Sequence, residues 1–383
     1  MSSENQDKNR SLLAFEDPEP FPDQVDGSEI LCELAKYVSD FSQMPEGGSE
    51  AVAVWAAATW FVEHAYIAPI LALQSPTKRT GKTTVLDLLS RVVRRPLLTS
   101  GVGATPAVLF RANDKFRPTF LLDEAEKLRT KFGGGSQLIS LLNSGHRRGG
   151  TVQRCAEVNG SFRVETFDAF GFRAVALIGD VWDTLADRAI ILRMQRATGD
   201  ADILPFLKHI EDVETRGELL ARKLVRWASG VGGEFRTAWS NAEYPDWLND
   251  RERDNWSTLL GVAQLAGGQW PSRLRDASRQ LASEPAEDGD PGERLIHDIR
   301  EIFETFDRPE AIKSGDLVRE LGDIETSPWG EKRGGKGLST HKLARMLKPF
   351  GVRPNQDRTS AGEKVRGYWL SDLQPVFDRY SCP

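Results

Sequence analysis

Residues 75–84 have the sequence SPTKRTGKTT and separate an apolar segment, 66–73, from a segment with helical periodicity, 83–94. A loop of this composition between a strand and a helix is the setting of a phosphate-binding P-loop. There, backbone N–H groups and the helix N-terminus hold phosphate oxygens. The residues predicted to bind a nucleotide in this way are Pro76, Thr77, Lys78, Arg79, Thr80, Gly81, Lys82, Thr83 and Thr84.

Two side chains of this loop carry specific roles. Lys82 is expected to reach the β- and γ-phosphates, and the Thr83 hydroxyl to coordinate Mg²⁺. Pro76 departs from the pattern because glycine normally stands at that position, and proline fixes φ near about −65°. The entry to the loop therefore differs, and the sequence leaves the nucleotide affinity open. The alternative interpretation is a coincidental GKT in a basic turn.

A second motif, Phe120-Leu121-Leu122-Asp123-Glu124, is an apolar strand that ends in paired acids. Asp123 is expected to hold Mg²⁺ through water, and Glu124 to orient and deprotonate the attacking water. A solvated helix start is the alternative, but the two motifs occur in the right order for an ATP and Mg²⁺ site. Paired acids are typical of ATPases that insert a strand between the motifs, and the segment 96–99 is expected to be that strand.

Apolar runs predict further strands, and helical segments separate them. The predicted strands span 66–73, 96–99, 119–122, 174–178 and 189–194. This alternation indicates an α/β fold with a doubly wound parallel sheet. Residues 151–158 and 161–167 flank Asn159-Gly160, which predicts an inserted β-hairpin.

Composition shifts divide the chain into five regions. The predicted regions are a flexible acidic tail (1–27), a P-loop core with N-terminal helices (28–200), a Trp-rich helical lid (201–282), a linker (283–292) and a basic winged-helix-like domain (293–383).

The segment from Ile67 to Met194 resembles the AAA+ branch of P-loop ATPases. Most of residues 60–383 resembles an uncharacterised bacterial and phage family, known as a domain of unknown function, that is similar to replication helicases of mobile elements. The motifs that carry this resemblance are SPTKRTGKTT (75–84), LLDEAE (121–126), LNSGHRRGG (142–150), AVALIGDVWDTLADRAI (174–190) and WSTLLGVAQLAGGQWP (256–271). The resemblance to AAA+ proteins implies their fold and ATPase activity. The uncharacterised family has no known reaction of its own that could be transferred to this chain.

The resemblance also implies roles for three further residues. Asp180 stands at the place of the polar sensor that contacts the γ-phosphate, although an acid is unusual there. Arg188 stands at the place of the arginine finger of minichromosome-maintenance-like helicases, which acts on the neighbouring subunit's site; a salt bridge to Asp187 is the alternative. Arg251 is a candidate lid sensor, with Arg273 and Arg275 as rivals and a solvated helix face as the alternative for each.

One further motif, His146-Arg147-Arg148, precedes the predicted hairpin. It could line a subunit interface or contact DNA, or it could be a capped helix end with surface bases. His146 has no partner at metal-ligand spacing, so no metal beyond Mg²⁺ is predicted.

Composition and charge bound the possible functions. The 383 residues carry a net charge of −6, but residues 1–27 hold seven acids and two bases, whereas residues 332–369 hold ten bases and two acids. The longest largely apolar run, Val52–Val62, is too short for a bilayer span of about 20 residues. The polar N-terminus lacks a signal-peptide pattern, so a cytoplasmic protein is expected. Three scattered cysteines argue against a disulfide framework.

The basic C-terminal region predicts a DNA-binding surface. Lys342, Arg345 and Lys348 recur at a spacing of three residues on one helix face, opposite Leu343, Met346 and Leu347. The remaining predicted contacts, on a turn-rich wing, are Arg353, Arg358, Lys364 and Arg366. A helix in a groove with a basic wing on the backbone is a common DNA-docking arrangement, and protein docking is the alternative. The hairpin at 151–167 is a weaker candidate for a DNA contact, because its tip lacks Lys and Arg although Arg154 and Arg163 flank it, and a structural hairpin is the alternative.

The patterns favour an ATP- and Mg²⁺-dependent cytoplasmic protein that acts on single-stranded or duplex DNA, and the resemblance implies that it is a ring-forming AAA+ motor. A helicase or helicase-like replication protein of a phage or mobile element is expected. The alternative is a regulator or scaffold, in transcription or phage defence, that ATP switches without motor activity.

Overall fold

Alternating strands and helices occupy residues 70–193 in the computed structural model of the chain. The structure describes residues 15–100, 106–129, 135–158, 161–197, 203–282, 291–324, 329 and 337–380. The chain divides into two compact units, residues 1–283 and 284–383. Within the described ranges, every helix is too short or too polar to span a lipid bilayer.

The first unit begins with two helices and continues with the alternating segment and a helical segment. Its elements in chain order are α1 (Gly27–Phe41), α2 (Gly48–Ala58), β1 (Ile70–Ser75), α3 (Lys82–Val92), β2 (Pro96–Ser100), α4 (Pro106–Phe116), β3 (Thr119–Asp123), α5 (Gly135–Ser144), β4 (Thr151–Val158), β5 (Ser161–Asp168), β6 (Arg173–Ile178), α6 (Asp183–Ala186), β7 (Ala189–Arg193), α7 (Ile210–Val231), α8 (Phe235–Ser240), α9 (Asp250–Ala266) and α10 (Trp270–Ala282).

A parallel sheet of five strands forms the centre of this unit, in the order β2-β3-β6-β1-β7. Ile70 of β1 lies beside Arg173 of β6 and Ala189 of β7. Apolar runs such as Ile-Leu-Ala-Leu in β1 suit strands that are buried on both faces. The predicted parallel α/β sheet is confirmed.

The strand that lies between β1 and β3 is β6, which pairs with both of them. The sequence predicts the segment 96–99 as the inserted strand. That segment does form β2, but β2 pairs with β3 at the edge of the sheet. Position in the chain did not predict position in the sheet, because a crossover between parallel strands can skip a place.

Strand β1 begins four residues later than expected, at Ile70 instead of Tyr66. The preceding residues instead bond to the segment after α5, since Ala68 N donates to His146 O at 2.9 Å and Arg148 N donates to Tyr66 O at 2.9 Å.

One apolar cluster joins the N-terminal helices to the helices of the 203–282 region. It includes Leu34 of α1, Trp55 of α2, Leu224 of α7, Trp256 of α9 and Trp270 of α10, all of them buried. The predicted lid, 201–282, therefore shares its core with the predicted core region, 28–200. The physical reason is that these helices have apolar stripes that need cover, and α1 and α2 supply it. A second cluster, on α4 and α5, packs against the same sheet.

Part of the predicted flexible tail, 1–27, packs against the first unit. The Asp17 carboxylate accepts two hydrogen bonds of 3.0 Å from the Arg95 guanidinium, and the rings of Phe15 and Phe116 lie 5.2 Å apart. Farther along, Phe21 N donates to Arg222 O at 3.0 Å. Composition did not predict these contacts because each depends on individual positions and not on the average character of the segment. Residues 1–14 lie outside the described residues.

Strands β4 and β5 pair in antiparallel register from Thr151↔Asp168 to Val158↔Ser161. This is the hairpin expected between α5 and β6. Its tip, Asn159-Gly160, lies outside the described residues.

The second unit has its own core and a three-stranded antiparallel sheet, in the order β8-β10-β9. Buried Leu295, Leu317, Leu343, Tyr368 and Phe377 belong to this core. The elements are α11 (Pro291–Thr305), β8 (Ala311–Lys313), α12 (Ser314–Asp323), α13 (Thr340–Leu347), β9 (Asn355–Arg358), β10 (Lys364–Trp369) and α14 (Leu370–Tyr380). Of the predicted linker, 283–292, residues 283–290 lie outside the described residues.

Candidate functional site: a phosphate loop and a basic ribbon

The loop of residues 76–81 connects β1 to α3 at the carboxyl end of the parallel sheet. Gly81, the residue before α3, has φ of +83°, and Arg79 also has a left-handed φ of +64°. A Cβ on Gly81 would lie 3.0 Å from the Ser42 hydroxyl, so glycine suits both the conformation and the space. A non-glycine residue such as Arg79 in this conformation costs on the order of 1 kcal/mol.

The first turn of α3 presents free backbone donors. Among the described side chains, none caps this helix N-terminus. Uncapped N–H groups and the positive end of the helix dipole attract anions. The loop and α3 therefore form a surface that can hold phosphate oxygens.

The Lys82 amino group is buried within this loop and bonds to its oxygens. It donates to Ser75 Oγ, to Thr80 Oγ1 at 3.3 Å and to Thr77 O at 3.5 Å. Burial lowers the pKa of the Lys82 ammonium, and the charges of Glu126 and Asp123 partly oppose that shift. The loop oxygens thus fix the Lys82 amino group beside the surface that can bind an anion.

Thr83 and Asp123 meet across two elements, α3 and β3. The Thr83 hydroxyl donates to Asp123 Oδ2 at 2.8 Å, and Glu124 N donates to Asp123 Oδ1 at 2.8 Å. A hydroxyl that ligates Mg²⁺ can still donate to a neighbouring carboxylate, and Mg²⁺ usually keeps several of its waters, so this pair fits an ion that Thr83 binds directly and Asp123 holds through water. The described residues contain no group of three or more His, Cys, Asp or Glu that could bind a metal, and Mg²⁺ at phosphate sites usually needs only one or two carboxylates.

Glu124 follows Asp123 in a left-handed conformation, with φ of +56°. Its carboxylate forms an ion pair with Lys127, and about half of each side chain is exposed. The predicted general base therefore lies at the right end of the sheet but is paired with a cation.

Glu126, the third acid of the motif, is a further residue of this site that the sequence pattern did not single out. Glu126 Oε2 accepts a 3.2 Å hydrogen bond from Ile178 N, at the end of β6. Its charge also acts on Lys82. The only signal in the sequence was the repeated acid in Asp-Glu-Ala-Glu, and the contact with β6 depends on the sheet order.

Asp180 follows β6 at the same end of the sheet. Gly179 N donates to Ser75 O at 3.0 Å and Gln74 Nε2 donates to Gly179 O at 3.2 Å, so this turn lies beside the end of β1. The Asp180 side chain is exposed. Its sensor role stays a prediction.

Arg188 lies at the opposite, amino end of the sheet, where Ile70 N donates to Arg188 O at 2.9 Å. Strand β1 rises about 3.3 Å per residue, which puts about 17 Å between this point and the loop. Arg188 therefore cannot reach Lys82 of its own chain. The guanidinium donates to Thr184 O at 2.7 Å, and the described contacts of Arg188 do not include the alternative salt bridge to Asp187.

Arg251 belongs to α9, which docks at the amino end of the sheet and away from the loop of residues 76–81, and its role as a lid sensor stays a prediction. It is exposed in the first turn of α9, and α9 docks at the amino end through a 2.6 Å hydrogen bond from Thr258 Oγ1 to Ile67 O. The rivals have structural partners: Arg273 bonds to Glu50 at 2.7 Å and Arg275 to Glu243 at 2.6 Å. The sequence could not show which way α9 runs.

The His146-Arg147-Arg148 motif also lies at the amino end. The Arg148 guanidinium donates to Val62 O and Ala65 O, and Arg147 forms an ion pair with Asp254. His146 is 3% exposed, and its Nε2 lies 2.8 Å from Asn255 Oδ1. Burial lowers the pKa of His146 to about 4, so the ring is neutral at pH 7.

The second unit carries a basic surface on α13 and on the β9–β10 ribbon. Lys342 and Arg345 are exposed on α13, whose Leu343 and Leu347 are fully buried. Ser339 caps the helix by accepting a 3.2 Å hydrogen bond from Lys342 N. The other predicted DNA contacts are also exposed: Lys348, Arg353, Arg358, Lys364 and Arg366.

Three of these bases share one face of the ribbon. Lys364 lies directly opposite Arg358, and Arg366, two residues along, lies opposite Gln356. None of the seven predicted DNA-contacting bases has an ion-pair partner among the described residues. Like charges directly opposite each other destabilise a sheet, so this arrangement suits an external polyanion.

The hairpin differs from this ribbon, because its Arg154 is turned inward. The Arg154 guanidinium lies 4.4 Å from the ring centroid of Phe110 on α4, whereas Arg163 is exposed.

Comparison with known proteins gives relatives without an assigned activity. The sequence profile of a family described as "Protein of unknown function (DUF3631)" matches residues 193–380. The "Uncharacterized 28.9 kDa protein in xis 5′ region" of Saccharopolyspora erythraea is 35% identical over 157 residues, which cover 38% of this chain and 57% of that protein. The chain thus spans a little over half the length of this curated relative.

Among solved structures, the chain is similar to the apo structure of the NrS-1 C-terminal region (305–718). That match has a TM-score of 0.42 and 12% identity over 92% of this chain and 77% of the other. The A form apo structure of the same region has a TM-score of 0.45 and 12% identity, with the same coverage.

Proposed function

We propose that this chain is a Mg²⁺-dependent ATPase of the AAA+ type that acts on DNA as a ring of identical subunits. The observation that carries the proposal is the meeting of Lys82, Thr83 and Asp123 beside an uncapped helix N-terminus. A buried cation, a hydroxyl and a carboxylate at this place are what phosphoryl transfer with a metal requires.

The sheet order supports the AAA+ type. Placement of β6 between β1 and β3, with β2 at the edge, is the order expected for ATPases whose catalytic acid follows the metal-binding Asp. The resemblance of residues 67–194 to AAA+ proteins agrees with it.

Each residue of the site then has a task in hydrolysis. Lys82 exchanges the loop oxygens for phosphate oxygens, and Thr83 and Asp123 hold Mg²⁺. Bound Mg²⁺ neutralises charge on the phosphates. Glu124 leaves Lys127 and accepts a proton from the attacking water.

The position of Arg188 at the amino end of the sheet supports the assembly of identical subunits into a ring. Because it lies about 17 Å from its own phosphate loop, it can stabilise transition-state charge only in a neighbouring subunit. A closed ring of head-to-tail interfaces would give each nucleotide site such an arginine.

The basic surface of the second unit supports DNA as the partner. Its topology, α11-β8-α12-α13-β9-β10, is that of a winged helix, with α13 as the helix that enters a groove and the ribbon as the wing. The genomic setting in the Saccharopolyspora relative's name, 5′ of xis, supports a role on a phage or mobile element as a helicase or helicase-like replication protein.

The proposal is tested by the steady-state ATPase rate with Mg²⁺, with and without single-stranded or duplex DNA. We expect DNA to stimulate the rate several-fold and Lys82→Ala to abolish it. Lys36→Ala, at an exposed helical lysine, is the matched control and should keep the wild-type rate. Loss of residues 293–383 should lower DNA affinity and flatten its salt dependence. DNA binding that is unchanged by this truncation would contradict the DNA-binding role of the second unit.

A nucleotide-switched regulator or scaffold is the second candidate, and the ion pair between Glu124 and Lys127 favours it. A carboxylate held by a cation is a poor base, which suits a site that binds ATP and turns over slowly. A low rate that does not respond to DNA, combined with tight ATP binding, would favour this candidate.

A further inference from the structure

Asn255 holds the backbone on both sides of Arg188. Its side-chain Nδ2 donates to Asp187 O at 3.2 Å and to Ala189 O at 3.5 Å. Arg188 O itself accepts the hydrogen bond from Ile70 N at 2.9 Å. Three consecutive carbonyl groups are therefore fixed, two of them by one side chain of a distant helix.

His146 sets the orientation of that side chain. Its Nε2 lies 2.8 Å from Asn255 Oδ1, and the opposite amide orientation would turn the oxygen toward two carbonyl oxygens. The bonding network thus assigns a donating Nε2–H to His146 and a donating Nδ2 to Asn255. The neutral Nε2–H tautomer provides this donor, and burial favours the neutral form of the ring.

Packing alone does not explain these two residues. Both are 3% exposed, and a buried amide or imidazole is costly unless its polar atoms are paired. An apolar residue would fill the same place without that requirement. What the polar pair adds is a defined position for the backbone of Arg188.

The Arg188 side chain is left available by this arrangement. Its guanidinium has one described hydrogen bond, to Thr184 O, and the remaining donors project from a fixed backbone at the amino end of the sheet. A displacement of about 1 Å in the position of a catalytic charge can lower a reaction rate on the order of 100-fold.

We infer that Asn255 and His146 are positioning residues for Arg188, which aim its guanidinium at the nucleotide of the neighbouring subunit. This inference rests on the proposed ATPase function. It requires that loss of Asn255 lowers turnover and leaves the subunit's own nucleotide binding intact.

Subunit mixing on the full-length chain tests the inference. Asn255→Leu and Arg188→Ala should each lower ATP turnover on the order of 10- to 100-fold, with ATP affinity within about twofold of wild type. Lys82→Ala subunits cannot bind ATP productively but carry an intact Arg188. Mixed in equal amounts with Asn255→Leu subunits, they should restore turnover at about a quarter of the interfaces, because that share pairs an intact loop with an intact arginine.

Two further variants provide controls. Ser257→Ala removes a buried hydroxyl of the same helix whose one hydrogen bond among the described residues is to Asp254 O, and it should keep wild-type turnover and mixing behaviour. His146→Gln keeps an N–H donor at the place of Nε2 and should retain most of the activity, whereas His146→Leu should behave like Asn255→Leu. The His146 pair keeps the test decisive if Asn255→Leu does not fold.

The possible results separate the inference from the proposed function. If Arg188→Ala abolishes turnover but Asn255→Leu and His146→Leu do not, the inference is overturned and the function stands. If mixing fails to restore Asn255→Leu, the residue has only a structural role, and the inference is again overturned. If Arg188→Ala itself turns over at the wild-type rate, the arginine of the proposed function is wrong.

Discussion

The two ends of the parallel sheet use polar side chains in opposite ways. At the carboxyl end, the polar groups bond to nearby groups of the same site: Lys82 donates to the Thr80 hydroxyl and Thr83 to the Asp123 carboxylate. Residues with a left-handed backbone lie next to them. At the amino end, Arg148 and Asn255 bond to backbone carbonyls of segments far away in the chain.

This difference separates exchangeable contacts from permanent ones. Hydrogen bonds among side chains at the carboxyl end can be exchanged for bonds to a ligand at little cost. The bonds from Arg148 and Asn255 to carbonyls of distant segments have no such replacement, and their loss leaves unpaired polar groups. Substitutions at the carboxyl end should therefore change turnover, and those at the amino end should also change stability.

The largest effect that would test this contrast is expected for Glu124→Gln. The amide cannot accept the proton from water, so turnover should fall by about 10²- to 10⁴-fold, while ATP binding and the unfolding free energy stay near wild type. Steady-state hydrolysis, nucleotide binding and denaturant unfolding measure the three quantities. Glu218→Gln, an exposed position on α7, is the control, and a wild-type rate in Glu124→Gln would show that the catalytic assignment is wrong.

The amino end should respond most strongly to Arg148→Ala. This change removes two hydrogen bonds to carbonyls and a guanidinium that lies 4.8 Å from the Phe170 ring centroid. We expect a loss of about 2–3 kcal/mol in the unfolding free energy, measured by urea unfolding followed through tryptophan fluorescence. Lys78→Ala, exposed in the phosphate loop, should cost less than about 0.5 kcal/mol. Equal losses of unfolding free energy in Arg148→Ala and Lys78→Ala would show that the two ends of the sheet do not differ in this way.

His146 adds a pH dependence to the amino end. Its pKa is about 4 in the fold and about 6.5 in the unfolded chain, so the unfolded state takes up the proton first as pH falls. The stability due to the neutral ring is complete above about pH 6.5 and is lost as pH falls to about 4, up to about 3 kcal/mol. Unfolding free energies of wild type and His146→Gln across this range give the contribution as a difference. Parallel pH curves for the two proteins would contradict it.

The smallest effect is expected for Lys127→Met at the carboxyl end. The ion pair with Glu124 is half exposed and is worth about 0.5 kcal/mol, so its removal should raise basal turnover about twofold. Lys36→Met serves as the control. A lower rate in Lys127→Met would mean that Lys127 assists catalysis and does not restrain Glu124.

The sequence predicted the carboxyl end better than the amino end. Residues 76–84, Asp123 and Glu124 lie directly after predicted strands, and parallel strands bring their carboxyl ends together whatever their order. The parallel sheet and the phosphate loop next to Asp123 were therefore within reach of pattern and spacing. The chemical roles of these residues stay predictions.

The amino end depends on contacts that spacing does not encode. Asn255 and His146 are 109 residues apart, and each lies in a segment whose local pattern gives no sign of the other. The place of Arg251 is hidden from the sequence for the same reason, since only the docking of α9 shows which end of the sheet it reaches. The position of β2 at the sheet edge also follows from the crossovers and not from chain order.

The facing bases of the β9–β10 ribbon have a consequence for the folding of the second unit in salt. Arg358 and Lys364 repel each other in the free protein, and ions weaken that repulsion. Salt should therefore raise the melting temperature of this unit, whereas it should weaken the DNA binding that we propose for the same surface. The ion concentration that best preserves the protein in storage is then a poor one in which to test that proposed binding.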